Sequence, residues 1–119
     1  MSLIDKNQMK SKRRITMMKE LNFNNNPINL NTIKANREFI ANNEKFKTIF
    51  FRFEEGKGLP NHTHDGFATI QVIKGVVNMT FVNGESYRLK DGDILPFDAN
   101  IEHNVIAEIQ SEILVNIIK

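Results

Sequence analysis

The sequence contains no cysteine. That removes disulfides, thiolate metal ligands and cysteine nucleophiles together, and it agrees with a reducing compartment. No segment approaches the roughly 18 consecutive apolar residues that a membrane-spanning helix needs. The basic N-terminus lacks the unbroken apolar stretch of a secretory signal. The expectation is a cytoplasmic protein with no membrane contact. Nucleotide-binding glycine loops, nucleophile elbows and Walker-type sequences are missing too. No acid–base carboxylate pair stands out. Asp91, Asp93, Asp98 and Glu102 fall in turn-like stretches, and Glu54 and Glu55 sit at a strand end, so all read as turn formers or solvated charges. Histidine is scarce, with three in 119 residues.

What is present belongs to a globular protein. Hydrophobic residues make up 40% and charged residues 25%, the usual balance for a packed domain in water. The length argues for one domain with a core of its own. The charge is uneven. The first 20 residues carry six basic and two acidic side chains, +4, and the remainder carries ten basic and twelve acidic, −2. A basic arm can touch nucleic acid, but no interleaved aromatics or recognition-helix pattern support that here. It reads as a solvated terminus.

The chain divides into an arm over 1–26 and a β domain over 27–119. Lys10 to Leu21 is rich in helix formers, with Ile15, Met18 and Leu21 at helical spacing. Asn22 to Pro27 is turn and linker chemistry. Beyond it the pattern turns to short strands: Lys47 to Phe53, Phe67 to Ile73, Val76 to Val82, the alternation around Tyr87 and Leu89, Ile94 to Phe97, Val105 and Ala107, and Glu112 to Ile118. Asn83-Gly84 and Asp91-Gly92 are turn signals between them. No helical period follows residue 45. Many short strands with regular turns predict an all-β sandwich or barrel.

Two of the three histidines form His62-Thr63-His64. On a strand, residues i and i+2 share a face, so both rings project together. That spacing suits two ligands on one metal. His103 follows about forty residues later, after a hairpin able to return it beside the first two.

The flanking residues sharpen this. Gly56, five residues, His62-Thr63-His64 and the later Gly75 resemble the first motif of the cupins, and Gly92-Asp93 running to Asp98, Asn100 and His103 resembles the second. The similarity spans residues 45–118. It implies a small single-domain cupin of the RmlC-like superfamily: an all-β double-stranded β-helix, or jelly roll, with metal ligands inside the barrel. Two departures stand out. The glutamate ligand of the first motif would fall at Ala68, which cannot coordinate. Asp98 and Asn100 replace the second motif's proline and glycine, a change of turn residues only. The chain resembles a subgroup of small cupins with alanine at this position. Asp65 and Gln71 have the wrong parity to replace the missing carboxylate.

The resemblance therefore implies a divalent transition metal (zinc, nickel, iron or copper) held by His62, His64 and His103. Ala68, Ile70 and Val72 share a parity with His64, and Val105 and Ala107 share one with His103. Phe51 and Phe53, or else Phe50, should cover another wall, and Met79 and Phe81 a further one. The expected pocket is thus Phe51, Phe53, Ala68, Ile70, Met79, Phe81 and Val105, apolar with a metal at its floor. Three functions follow as alternatives: a barrel binding a small molecule, a metal-dependent enzyme of dioxygenase, isomerase or decarboxylase type, or a structural or regulatory barrel. A homodimer is expected from the resemblance and from the very apolar C-terminal strand.

Overall fold

The structure is a computed structural model that describes residues 25–119. The helix expected over Lys10 to Leu21, and nearly all of the arm over 1–26, lie outside the described residues. A short 3₁₀ turn, Leu30–Thr32, precedes nine strands. They are β1 (Arg37–Asn42), β2 (Phe46–Phe53), β3 (Gly58–His62), β4 (Phe67–Lys74), β5 (Val76–Phe81), β6 (Ser86–Lys90), β7 (Ile94–Asp98), β8 (His103–Ala107) and β9 (Ser111–Ile118). The strands expected over residues 47–118 are present, β1 is additional, and β3 starts at Gly58 and ends at His62, short of His64. Among the described residues there is no α-helix, and no helix long and apolar enough to cross a membrane.

The strands form two antiparallel sheets. The larger runs β1-β2-β9-β4-β7 and the smaller β3-β8-β5-β6. Period-two alternation decides which residues meet between them. Ile49, Phe51 and Phe53 of β2, Ala68, Ile70 and Val72 of β4, and Ile113, Val115 and Ile117 of β9 point inward from the larger sheet. Val77, Met79 and Phe81 of β5 and Val105 and Ala107 of β8 answer from the smaller one. The apolar sequence of β9 follows from its place. It is central in its sheet, paired with β2 on one side and β4 on the other, so its alternate residues fill the core. Its inward residues accordingly offer no separate argument for a dimer.

Phe50 is fully buried yet stands outside this inner cluster. It faces the other side of β2, where the Arg52 guanidinium lies 5.2 Å from its ring centroid. The same guanidinium donates to the Ile33 and Ala35 carbonyls at 2.9 and 3.0 Å and to Glu112 at 3.1 Å. Arg52 thereby straps residues 33–36 onto the back of the larger sheet.

One corner requires glycine. Gly75, between β4 and β5, has φ +108°, and a Cβ there would strike the Ser111 side chain. Ser111 cannot yield, because its hydroxyl accepts from the Val76 amide at 3.0 Å and donates to the Ile109 carbonyl at 2.8 Å. Asp93 and Asp98 act as turn formers, as expected, while Asp91 ties its turn to the β4–β5 corner. Asp91 accepts from the Gly75 amide, Asp93 from the Lys90 amide and Asp98 from the Asn100 amide.

Candidate metal centre

His62 closes β3 and His103 opens β8, and the two are register partners. Directly opposed residues on neighbouring strands hold their Cβ atoms about 4.5–5.5 Å apart. The ring centroids here are 4.3 Å apart. A bulge makes the pairing possible. Leu59 pairs with Val105 and His62 with His103, so three steps along β3 match two along β8. On a regular strand Leu59 and His62 would face opposite sides. The extra residue at Pro60-Asn61 turns His62 back to the interior, beside Leu59. Proline is tolerated there because β3 is the edge of its sheet.

His64 lies two residues beyond the end of β3, in the loop leading to β4. The sequence put it on a strand with His62. The structure puts it off the strand, held by its amide donating to the Ala99 carbonyl at 2.8 Å. Its ring still faces the same cavity, with its centroid 5.3 Å from that of His62.

The chemistry of the donors favours coordination. The Nδ1–H of His62 donates to the Pro60 carbonyl at 2.6 Å, and that of His103 to the Ile101 carbonyl at 2.7 Å. A carbonyl only accepts, so in both rings Nδ1 carries the proton and Nε2 keeps its lone pair. A hydrogen bond on the far nitrogen is the usual support of a metal-bound histidine. Burial is the main cause lowering the pKa of both His64 and His103. For His64 the charges of His62, Lys47 and His103 add to it, and for His103 the bond to Ile101 works in opposition. Both rings are thus held toward the neutral, metal-binding form.

The spacing can be tested against coordination geometry. A metal about 2.0–2.1 Å from an imidazole nitrogen lies ~3.2 Å from the ring centroid, so two ligands at ~90–110° have centroids ~4.5–5.2 Å apart. The His62–His103 and His62–His64 separations, 4.3 and 5.3 Å, bracket that range. Among the described residues, however, no three histidine, cysteine or carboxylate side chains already converge as a finished metal site.

The three rings border a cavity of about 40 Å³ between the sheets. Of the expected pocket, Phe51, Ala68, Ile70, Met79 and Val105 line it. Phe53 and Phe81 do not. Phe53 is stacked behind Phe51, centroids 5.5 Å apart, and Phe81 lies behind His103 at 5.7 Å. Ile49, Leu59, Phe97, Val115 and Ile117 complete the wall and were not expected. Parity along β2 and β9 would have found Ile49, Val115 and Ile117. The volume holds one or two waters, or an ion, so the interior is packed nearly shut. The room lies outside. A groove of about 350 Å³ opens between β1, β2 and β3 and shares Ile49, Phe51, Leu59, His62 and His64 with the cavity. Asp65 is exposed, and Gln71 sits on the outward register of β4. No carboxylate lines the cavity or the groove.

Known proteins agree with this architecture. The cupin domain family model matches residues 49–115, more than half of the chain. An RmlC-like cupin from Desulfovibrio desulfuricans superposes with a TM-score of 0.70 at 25% identity, covering 78% of this chain and 95% of its own. A cupin superfamily protein from Desulfitobacterium hafniense gives 0.71 at 18%, covering 80% and 92%. An RmlC-like cupin with a double-stranded β-helix fold from Methanocaldococcus jannaschii gives 0.64 at 20%, covering 71% and 83%. A comparison with curated proteins found no match. On its matched residues and its two-sheet barrel, the chain belongs to the cupin domain family.

Proposed function

We propose that this barrel binds one divalent transition metal through His62, His64 and His103, and that the metal serves a small organic molecule entering from the groove. The observation that carries the reading is the pair of Nδ1–H bonds to the carbonyls two residues back, which leaves the Nε2 lone pair free on each of two rings 4.3 Å apart on paired strands. Three neutral imidazoles suit zinc, nickel, iron or copper. A bound metal would supply Lewis acidity, or redox chemistry if it is iron or copper. The chain itself supplies orientation and an apolar wall. With no carboxylate on that wall to move a proton, binding is the primary reading. The alternative is an enzyme of dioxygenase, isomerase or decarboxylase type, which oxygen uptake and product analysis on metal-loaded protein would reveal.

Elemental analysis tests the metal. Protein expressed with added zinc, nickel, iron and copper is expected to carry about one metal per chain, and less than about a tenth would overturn the reading.

We also read the chain as a homodimer. The outward face of the larger sheet leaves Phe67, Ile94 and Ile118 exposed at 65, 56 and 55%. Phe67 and Ile118 are adjacent in register, while Ile94 lies further along the same face opposite Gln71, and exposed apolar surface of this kind marks association sites. Gel filtration with light scattering should give twice the 13.7 kDa chain mass. A monomer mass at micromolar concentration overturns the dimer.

A further inference from the structure

The groove outside the histidines carries charge of one sign. Lys47 shares the inward register of β2 with Ile49, Phe51 and Phe53, although it is charged and they are core residues. It is half-buried. Its strand partner on β9 is Ile117, and Ile117 pairs with Ala68 on β4, so one inward row runs Lys47, Ile117, Ala68. Arg37 sits opposite Phe51 on β1 and so faces the same side. Its guanidinium carbon lies 5.1 Å from the Phe39 ring centroid and 6.0 Å from that of Phe51.

Among the described residues neither cation has a salt bridge. The salt bridges among those residues are Arg52–Glu112 and Arg88–Glu108, and no carboxylate lines the groove. The first 24 residues are themselves basic, six Lys and Arg against two Asp and Glu, so they offer little to balance it. Lys47 and Arg37 thus bring two cations without a salt-bridge partner to one groove, and an incoming anion would pair with both. The remaining surface of the groove is apolar, formed by Ile49, Phe51, Leu59 and Pro60.

We propose that the groove binds a small organic carboxylate, its acid group held by Lys47 and Arg37 and its apolar body laid on Phe51 and Leu59 toward His62 and His64. This rests on the reading of the site as a ligand-binding centre and names the class of ligand. An acid of this shape matches both halves of the groove, and its neutral or cationic analogues match only one. Charge-assisted hydrogen bonds to ammonium and guanidinium groups are about twice as strong as neutral ones.

The test uses the full chain and defined probes. Benzoate, phenylacetate and hexanoate are titrated calorimetrically into metal-loaded and chelator-stripped protein, beside the corresponding amides. At least one acid should bind about tenfold or more tighter than its amide. Lys47→Met and Arg37→Met keep the aliphatic stems and remove the charges. The double variant should lose that tenfold preference while its ligand-free melting temperature and metal content stay those of the wild type. Equal binding of acid and amide overturns the proposal, as does failure of all three acids to bind at about 10 mM. Acid binding that needs the metal and survives in the double variant also overturns it, since the carboxylate then sits on the metal. Acid binding that depends on Lys47 in a protein that takes up no metal leaves this proposal standing and removes the metal reading alone.

Discussion

Gly58→Ala is expected to destabilise the barrel by about 3 kcal/mol or more, and to abolish metal uptake without touching a histidine. The reason is steric. A Cβ at Gly58 would run into the Val105 carbonyl oxygen and crowd the Ile106 Cα. Both are backbone atoms of β8, so no flexible side chain can swing aside. β3 must retreat, breaking the pairs Gly58–Ile106 and Leu59–Val105 that hold it to the barrel. Overpacking alone costs roughly 1–3 kcal/mol, and loosening Leu59 from the core adds to it. For a domain near this size each kcal/mol moves the melting temperature by about 4–8 °C. Gly84→Ala is the control. Its φ is +100° but nothing lies within 4 Å of the added carbon, so it bears only backbone strain, roughly 1–2 kcal/mol. Thermal melts and elemental analysis, done well below each midpoint, check both. If Gly58→Ala melts within about 3 °C of the wild type, β3 and β8 are not as close as described.

That substitution also shows where sequence reading stops. The flanking glycines and the three histidines were legible because motif residues carry their spacing in the chain. β2, β4, β5 and β9 were legible because aromatic and β-branched residues recur with turns between them. β3 was not. Gly58-Leu59-Pro60 has the composition of a loop, and only its edge position lets a strand contain that proline. β1, Arg37 to Asn42, has one large aromatic and two charges, too polar to declare itself. Parity placed Ala68, Ile70 and Val105 correctly on the cavity wall. It placed His64 beside His62 for an incomplete reason, because His64 is off the strand and a bulge aims His62. Bulges depend on register between strands distant in sequence, which a period-two pattern does not contain. The groove was missed for the same reason. Only the pairing of β1 with β2 and of β2 with β9 brings Lys47 and Arg37 to one side of the sheet.

His62→Ala and His103→Ala should respond alike to metal and differently without it. His103 is 3% exposed, and its ring packs against Phe97 and Phe81 at 5.0 and 5.7 Å. Removing it leaves a hole in the core and should cost about 2–4 kcal/mol. His62 is half-exposed, and its removal should cost less than about 1 kcal/mol. Added metal changes the comparison. A ligand that binds only the folded state at about 100 times its Kd stabilises by about 2.7 kcal/mol, about 11–22 °C in melting temperature here. Each alanine variant should lose nearly all of that increment, and the double variant should lose no more than either one, because the histidines act on a shared ion. Scanning calorimetry with and without metal separates the two effects. A metal increment that survives in His62→Ala moves the ion elsewhere. An increment that survives in His103→Ala makes that ring a core residue only. Loss of the same increment in both variants, despite their unequal metal-free stabilities, is what a common ligand sphere requires. Ordinary core damage would follow burial instead, severe at His103 and slight at His62.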